Sequence, residues 1–128
     1  MAERIMIVED EYLIAFAMKK KLESWGYHVV FCESQGDSAI SRLKEETIQL
    51  VLLDVLLENK TSGIDVARHI RSNNLPIDFI YVTASQDPDT LREIEDTKPV
   101  QILSKPYNDD ILQNAIQTIL GAKKSSRS

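Results

Sequence analysis

Five short apolar runs alternate with amphipathic stretches along the 128-residue chain. Each run is short and carries apolar residues on both faces of the predicted strand, which is typical of a strand buried on both faces of a sheet. The runs are Ile5–Val8, Val29–Cys32, Leu50–Leu53, Phe79–Val82 and Val100–Leu103. Strands that alternate with helices form right-handed βαβ units. The pattern therefore predicts one doubly wound α/β domain, with a five-stranded parallel sheet and helices on both faces.

The amphipathic stretches carry apolar residues at helical spacing. In the first stretch these residues are Ile14, Met18, Leu22 and Trp25, and Gly26 is predicted to end the helix. Further helices are predicted to begin at or just after Asp37, Gly63, Asp87 and Asn108. The last apolar stripe ends at Leu120. We therefore expect one domain over residues 1–120 and a disordered polar tail over residues 121–128.

Composition narrows the class of protein. The formal net charge of −5 argues against a non-specific nucleic-acid binder, which would usually be basic. No basic-then-apolar signal segment opens the chain, and no apolar run approaches the ~20 residues that a membrane span needs. We expect a soluble cytoplasmic protein. The single cysteine, Cys32, excludes an internal disulfide, and its apolar surroundings predict a buried thiol.

Carboxylates follow two of the predicted strands directly. Glu9, Asp10 and Glu11 come after the first run, and Asp54 comes after the third. Chain segments leave parallel strands at one edge of the sheet, so Glu9, Asp10 and Asp54 should converge there. Converging carboxylates repel one another unless a hard cation neutralises them. The pattern predicts a Mg²⁺ site with one carboxylate left for chemistry.

Two further polar residues follow two of the three remaining strands at this edge, Thr83 after the fourth and Lys105 after the fifth. Asp10, Thr83 and Lys105 each have an ordinary structural explanation, because Asp10 could cap a helix, Thr83 could simply end a strand, and Lys105 could be solvated. Their occurrence together favours a functional interpretation. A carboxylate beside Mg²⁺ can attack phosphorus, while an ammonium group and a hydroxyl bind the phosphoryl oxygens.

Four motifs together resemble the receiver domain of two-component response regulators. They are Val8-Glu9-Asp10-Glu11, Leu52-Leu53-Asp54, Val82-Thr83-Ala84 and Lys105-Pro106-Tyr107. The resemblance runs from about Arg4 to Leu120 and implies a flavodoxin-like fold. It also implies that Asp54 is the phosphoacceptor. By the same resemblance Asp10 would bind Mg²⁺ directly, Glu9 through water, and Leu56 through its backbone carbonyl.

The resemblance further implies that Thr83 and Lys105 bind the phosphoryl group and that the Lys105–Pro106 bond is cis. A histidine kinase or phosphotransfer protein would be the phosphodonor, and a protein that the sequence does not identify would receive the signal. No direct contact with nucleic acid is expected, and phosphorylation could drive homodimerisation. Such a module is no enzyme, although it assists its own phosphorylation and slow dephosphorylation.

The sequence departs from the receiver pattern at three places. Ile102 occupies the position of the usual switch aromatic. We expect the signal to pass by a backbone shift of the Thr83–Asp87 loop; the alternative is an output face that responds weakly. The segment Val55–Gly63 lacks the common Met-Pro pair and is longer by one residue. Leu56 and Ser85 flank the path of a hydrolytic water in the family, and Leu56 cannot orient that water. We therefore expect a long-lived phosphoryl group.

Other function classes would need different residues at the same positions. A phosphatase with an aspartyl-phosphate intermediate would need a second Asp two residues after the nucleophile, where this chain has Leu56. A flavin-binding protein would need a phosphate-cradling loop in place of Glu9-Asp10-Glu11. A receiver-like module that works without phosphorylation stays open because of Ile102. The chain could also be the amino-terminal receiver fragment of a longer DNA-binding regulator.

Overall fold

A computed structural model of the chain describes residues 3–55 and 62–127, with side chains as far as residue 121. The elements are β1 Arg4–Val8, α1 Tyr12–Ser24, β2 His28–Glu33, α2 Gly36–Glu45, β3 Leu50–Leu53, α3 Gly63–Ser72, β4 Asp78–Thr83, α4 Pro88–Asp96, β5 Gln101–Ser104 and α5 Asp109–Arg127. All strand pairs are parallel, and the sheet order is β2-β1-β3-β4-β5. The predicted α/β fold class is confirmed.

The central strands β1, β3 and β4 are buried on both faces, as their continuous apolar runs predict. Ile5, Ile7 and Leu52 point to one face, where they pack against α1 and α5. Met6 and Val8 point to the other face, where they pack with residues of α2, α3 and α4. Side chains alternate along a strand, so a strand between two helical layers needs apolar residues at every position.

The predicted helix boundaries are largely confirmed. Gly26 follows the end of α1 with φ +94°, a left-handed conformation that glycine adopts without steric cost. Asp87 caps α4 by accepting a hydrogen bond from the Thr90 N–H at 2.9 Å. Asn108 caps α5 in the same way, because its Oδ1 accepts from the Ile111 N–H at 2.9 Å.

Two predicted boundaries differ from the structure. α2 starts at Gly36 with Gln35 as its cap, so Asp37 lies inside the first turn. A carboxylate is favourable there for the same electrostatic reason that makes it a good cap, and sequence alone separates the two positions poorly. α5 continues to Arg127, so its last turns span most of the segment from residue 121 that was predicted to be a disordered tail.

The prediction that the Cys32 thiol is buried is wrong, because Cys32 is exposed. Cys32 lies on β2, which among the described strands pairs with β1 alone and forms an edge of the sheet. Of the six β2 residues only Val29 is buried, so this edge strand receives less cover from the helices than the central strands do, and the apolar composition of the run does not reveal this.

Candidate functional site

The carboxyl ends of β1 and β3 bring three carboxylates together. Val8 and Leu53 are paired in register on these neighbouring parallel strands, and the Asp54 N–H donates to the Val8 carbonyl at 3.0 Å. The chain therefore leaves both strands at the same level. One carboxylate oxygen each from Glu9, Asp10 and Asp54 lies within 4.8 Å of the others. The convergence expected from the sequence is present in the structure.

Lys105 reaches this cluster from β5, two strands away from β3. Its Nζ donates to Glu9 Oε1 at 2.9 Å and to Asp54 Oδ2 at 3.0 Å. The Lys105 N–H donates to the Thr83 carbonyl at 2.9 Å, which fixes the backbone where the lysine side chain starts. The Lys105–Pro106 peptide bond is cis, as the resemblance implied. The ammonium group thus lies between two carboxylates of different strands.

The electrostatics of the cluster follow from burial and from these contacts. Burial raises the pKa of Glu9, and the charge of Asp54 raises it further, against the opposing effect of the Lys105 hydrogen bond. Burial alone would lower the pKa of Lys105, but hydrogen bonds and charge attraction from Glu9 and Asp54 raise it overall. Lys105 therefore stays protonated near neutral pH and offsets part of the carboxylate repulsion.

Thr83 ends β4, the strand between β3 and β5. The residue is buried, and its Oγ1 accepts a hydrogen bond from the Ser85 N–H at 3.2 Å. The hydroxyl is thus held by its own following loop.

The donor set fits Mg²⁺. This ion prefers hard oxygen ligands, accepts one or two carboxylates, and retains several waters. Glu9 is buried while Asp10 and Asp54 are partly accessible, so water has access to the cluster. The Leu56 carbonyl, which was predicted to complete the ligand set, lies outside the described residues, as do residues 57–61 of the same loop.

Gly63 contributes to the site in a way that the sequence did not reveal. A Cβ atom on Gly63 would lie 2.0 Å from the Asp54 carbonyl oxygen, and the Gly63 N–H donates to the Val55 carbonyl at 3.2 Å. The first residue of α3 therefore packs directly on the backbone of Asp54. A signal was available, because glycine is a poor helix former and its use at a helix start indicates a close backbone approach.

Comparison with known proteins assigns the chain to a class. The sheet order and the acidic cluster at the strand ends define a doubly wound α/β protein with a candidate cation site. The family model described as the response regulator receiver domain matches residues 5–117. The chain belongs to this family of two-component signalling proteins.

Two curated relatives differ in how much of their length the chain spans. The transcriptional regulatory protein CrdR of Helicobacter pylori is 34% identical, over 91% of this chain and 54% of its own length. The response regulator receiver protein CpdR of Brucella abortus is 29% identical, over 92% of this chain and 97% of its own length. The chain therefore spans about half of one relative and nearly all of the other.

Solved structures agree with this assignment. The signal receiver domain of a putative Luxo repressor protein from Vibrio parahaemolyticus has a TM-score of 0.88 at 27% identity, over 99% of this chain and 96% of its own. The receiver domain of a modulated diguanylate cyclase from Desulfovibrio desulfuricans has a TM-score of 0.87 at 27% identity, over 98% of this chain and 99% of its own.

Within residues 3–55 and 62–127, no helix has the length and apolar character of a membrane span.

Proposed function

We propose that the chain is a phosphorylation-controlled switch that accepts a phosphoryl group on Asp54 in a Mg²⁺-dependent reaction. The phosphodonor is a histidine kinase or a phosphotransfer protein, and the output is a change in protein contacts in the cytoplasm. The observation that carries this proposal is the position of Lys105 Nζ, within 3.0 Å of both Glu9 and Asp54. A carboxylate that can attack phosphorus, beside an ammonium group and a cation site that can stabilise charge on the phosphoryl oxygens, suits phosphoryl transfer.

The residues have separate roles in this mechanism. An Asp54 oxygen attacks phosphorus, and the bond between phosphorus and the donor's histidine nitrogen breaks as the new oxygen–phosphorus bond forms. Glu9, Asp10 and Asp54 would hold Mg²⁺, which when bound offsets negative charge on the phosphoryl oxygens. Lys105 shifts its hydrogen bond from the Asp54 carboxylate to a phosphoryl oxygen. The Thr83 hydroxyl donates a hydrogen bond to a second phosphoryl oxygen, which requires the Thr83–Ser85 turn to move.

Protein contacts are supported by exposed apolar side chains on α1, which begins three residues after Glu9. Tyr12 is 76% exposed, Leu13 77% and Phe16 45%, and the Tyr12 and Phe16 rings stack with centroids 6.2 Å apart. Clustered exposed apolar residues commonly mark a binding surface. Their position beside the site suits a protein phosphodonor, and homodimerisation on phosphorylation remains part of the proposal.

Phosphoryl uptake from acetyl phosphate tests the function. We expect the intact mass to increase by one phosphoryl group with Mg²⁺ present and to remain unchanged with a chelator. Glu95→Gln, an exposed charge change on α4, is the control and should behave as the wild type. Slow decay after removal of the donor would support the long phosphoryl lifetime expected from Leu56. Uptake that is equal with and without Mg²⁺ would contradict the proposal.

A second candidate, a receiver at the amino terminus of a longer DNA-binding regulator, is supported by the match to CrdR over 54% of that protein's length. The site chemistry would be the same, and only the output would differ. Sequencing the complete reading frame distinguishes the two, because a regulator would continue into a DNA-binding domain after α5.

A further inference from the structure

A buried polar corner joins α3, β4 and the C-terminal end of α4. The Tyr81 hydroxyl lies 2.9 Å from Thr97 Oγ1, and both residues are buried. Thr97 Oγ1 donates its only proton to the Ile94 carbonyl at 2.6 Å. Tyr81 must therefore be the donor of the shared hydrogen bond. Burial raises the pKa of Tyr81 to about 12, so the hydroxyl keeps its proton at neutral pH.

Arg71 of α3 completes this corner. Its Nε donates to the Thr97 carbonyl at 2.8 Å, and its Nη2 donates to the Lys98 carbonyl. The guanidinium lies 4.6 Å from the centroid of the Phe79 ring, which packs edge-on against Tyr81. Arg71 thus satisfies carbonyl groups that a helix end leaves open. We call the four residues Arg71, Phe79, Tyr81 and Thr97 the α4 anchor.

The other end of α4 is held by local contacts. The Asp87 carboxylate accepts from the Thr90 N–H at 2.9 Å and from the Thr90 hydroxyl at 2.8 Å, all within the first turn. Asp87 and Pro88 are exposed. The N-terminal end therefore has a capped but solvated turn, while the C-terminal end is bonded to both α3 and β4.

The anchor lies close to the residue that is expected to move. Tyr81 and Thr83 are two positions apart on β4, so their side chains leave the same face of the strand. Tyr81 pairs in register with Ile102 of β5, the position where the aromatic residue expected for a receiver is missing. The buried aromatic rings Phe79 and Tyr81 of this region thus lie on β4, and the Tyr81 hydroxyl bonds to Thr97 at the end of α4.

We propose that the α4 anchor fixes the C-terminal end of α4, so that movement of Thr83 and its loop displaces the N-terminal end and α4 pivots about Thr97. A displacement of Thr97 would leave the Tyr81 hydroxyl without an acceptor inside an apolar cluster, which is unfavourable. The trigger of the pivot rests on the proposed function, whereas the anchor itself does not.

Amide hydrogen exchange of the unphosphorylated protein tests the anchor. In Tyr81→Phe, which removes only the hydroxyl, we expect the Thr97 and Lys98 amides to exchange about 3- to 10-fold faster, with the Leu91 amide unchanged. Thr97→Val should give the same pattern. Tyr27→Phe, which removes a hydroxyl far from α4, should leave all three amides unchanged. Unaltered exchange of Thr97 and Lys98 in Tyr81→Phe would overturn the proposal.

The pivot is tested by repeating the exchange with acetyl phosphate and Mg²⁺. In the wild type we expect the exchange rate of the Leu91 amide to change and that of the Thr97 amide to stay constant. In Tyr81→Phe both exchange rates should change. Equal changes at both ends of wild-type α4 would overturn the pivot. If the mass shows no phosphoryl uptake, the proposed function and the pivot's trigger fail, and exchange of the unphosphorylated variants still decides for or against the anchor.

Discussion

Phosphoryl uptake from acetyl phosphate is expected to fall about 100-fold or more in Lys105→Gln. The ammonium group contacts Asp54 at 3.0 Å and is placed to meet charge that develops on the phosphoryl oxygens. Glutamine can still donate a hydrogen bond but brings no charge. The rate is measured from the intact mass over time at saturating Mg²⁺.

The same variant should bind Mg²⁺ more tightly than the wild type. Lys105 neutralises Glu9 and Asp54 when the ion is absent, so it competes with the cation for the same carboxylates. Tighter Mg²⁺ binding with slower uptake would separate the lysine's role from metal retention. Lys44→Gln, an exposed change of equal charge on α2, is the matched control. An uptake rate within twofold of the wild type in Lys105→Gln would contradict the assigned role.

Gly63→Ala is expected to lower the free energy of unfolding by about 3 kcal/mol. The new methyl group would lie 2.0 Å from the Asp54 carbonyl oxygen and 2.9 Å from its carbonyl carbon. Both are backbone atoms, so the backbone must move to relieve the clash. The atoms that move belong to Asp54, and phosphoryl uptake should fall as well. Urea denaturation measures the loss of stability.

Two other glycines separate the clash from general effects of alanine. At Gly121, in α5, a Cβ would meet its nearest atom at 4.0 Å, so Gly121→Ala should be neutral or stabilising by up to about 1 kcal/mol. Gly26 has open space but φ +94°, so Gly26→Ala should cost about 1 kcal/mol through the backbone alone. A loss at Gly63 no larger than that at Gly26 would show that α3 relaxes away from Asp54.

The fold and the convergence of the acidic residues could be predicted because each depends on local pattern and one rule of topology. A continuous apolar run indicates a strand covered on both faces, and parallel strands present their carboxyl ends together. The convergence of Glu9 and Asp54 follows from these two features alone. The exposure of Cys32 could not be predicted in this way, because it depends on β2 being an edge strand.

Contacts between elements that are far apart in the chain could not be predicted from the sequence either. Arg71 and Thr97 are 26 positions apart, and neither breaks the helical pattern around it. The sequence singled out Ile102 as a missing aromatic, but it did not reveal that Tyr81 beside it bonds to α4. Such contacts depend on how helices are placed over the sheet, which periodicity along one segment does not determine.

The residue that carries the phosphoryl group distinguishes phosphorylation of Asp54 from modification elsewhere. We would phosphorylate the protein with acetyl phosphate and Mg²⁺, reduce the acyl phosphate with borohydride, and identify the modified residue by peptide mass spectrometry. The proposed mechanism requires modification at Asp54 alone and no uptake in Asp54→Asn. Modification at Asp10 or Glu9, or full uptake in Asp54→Asn, would contradict it.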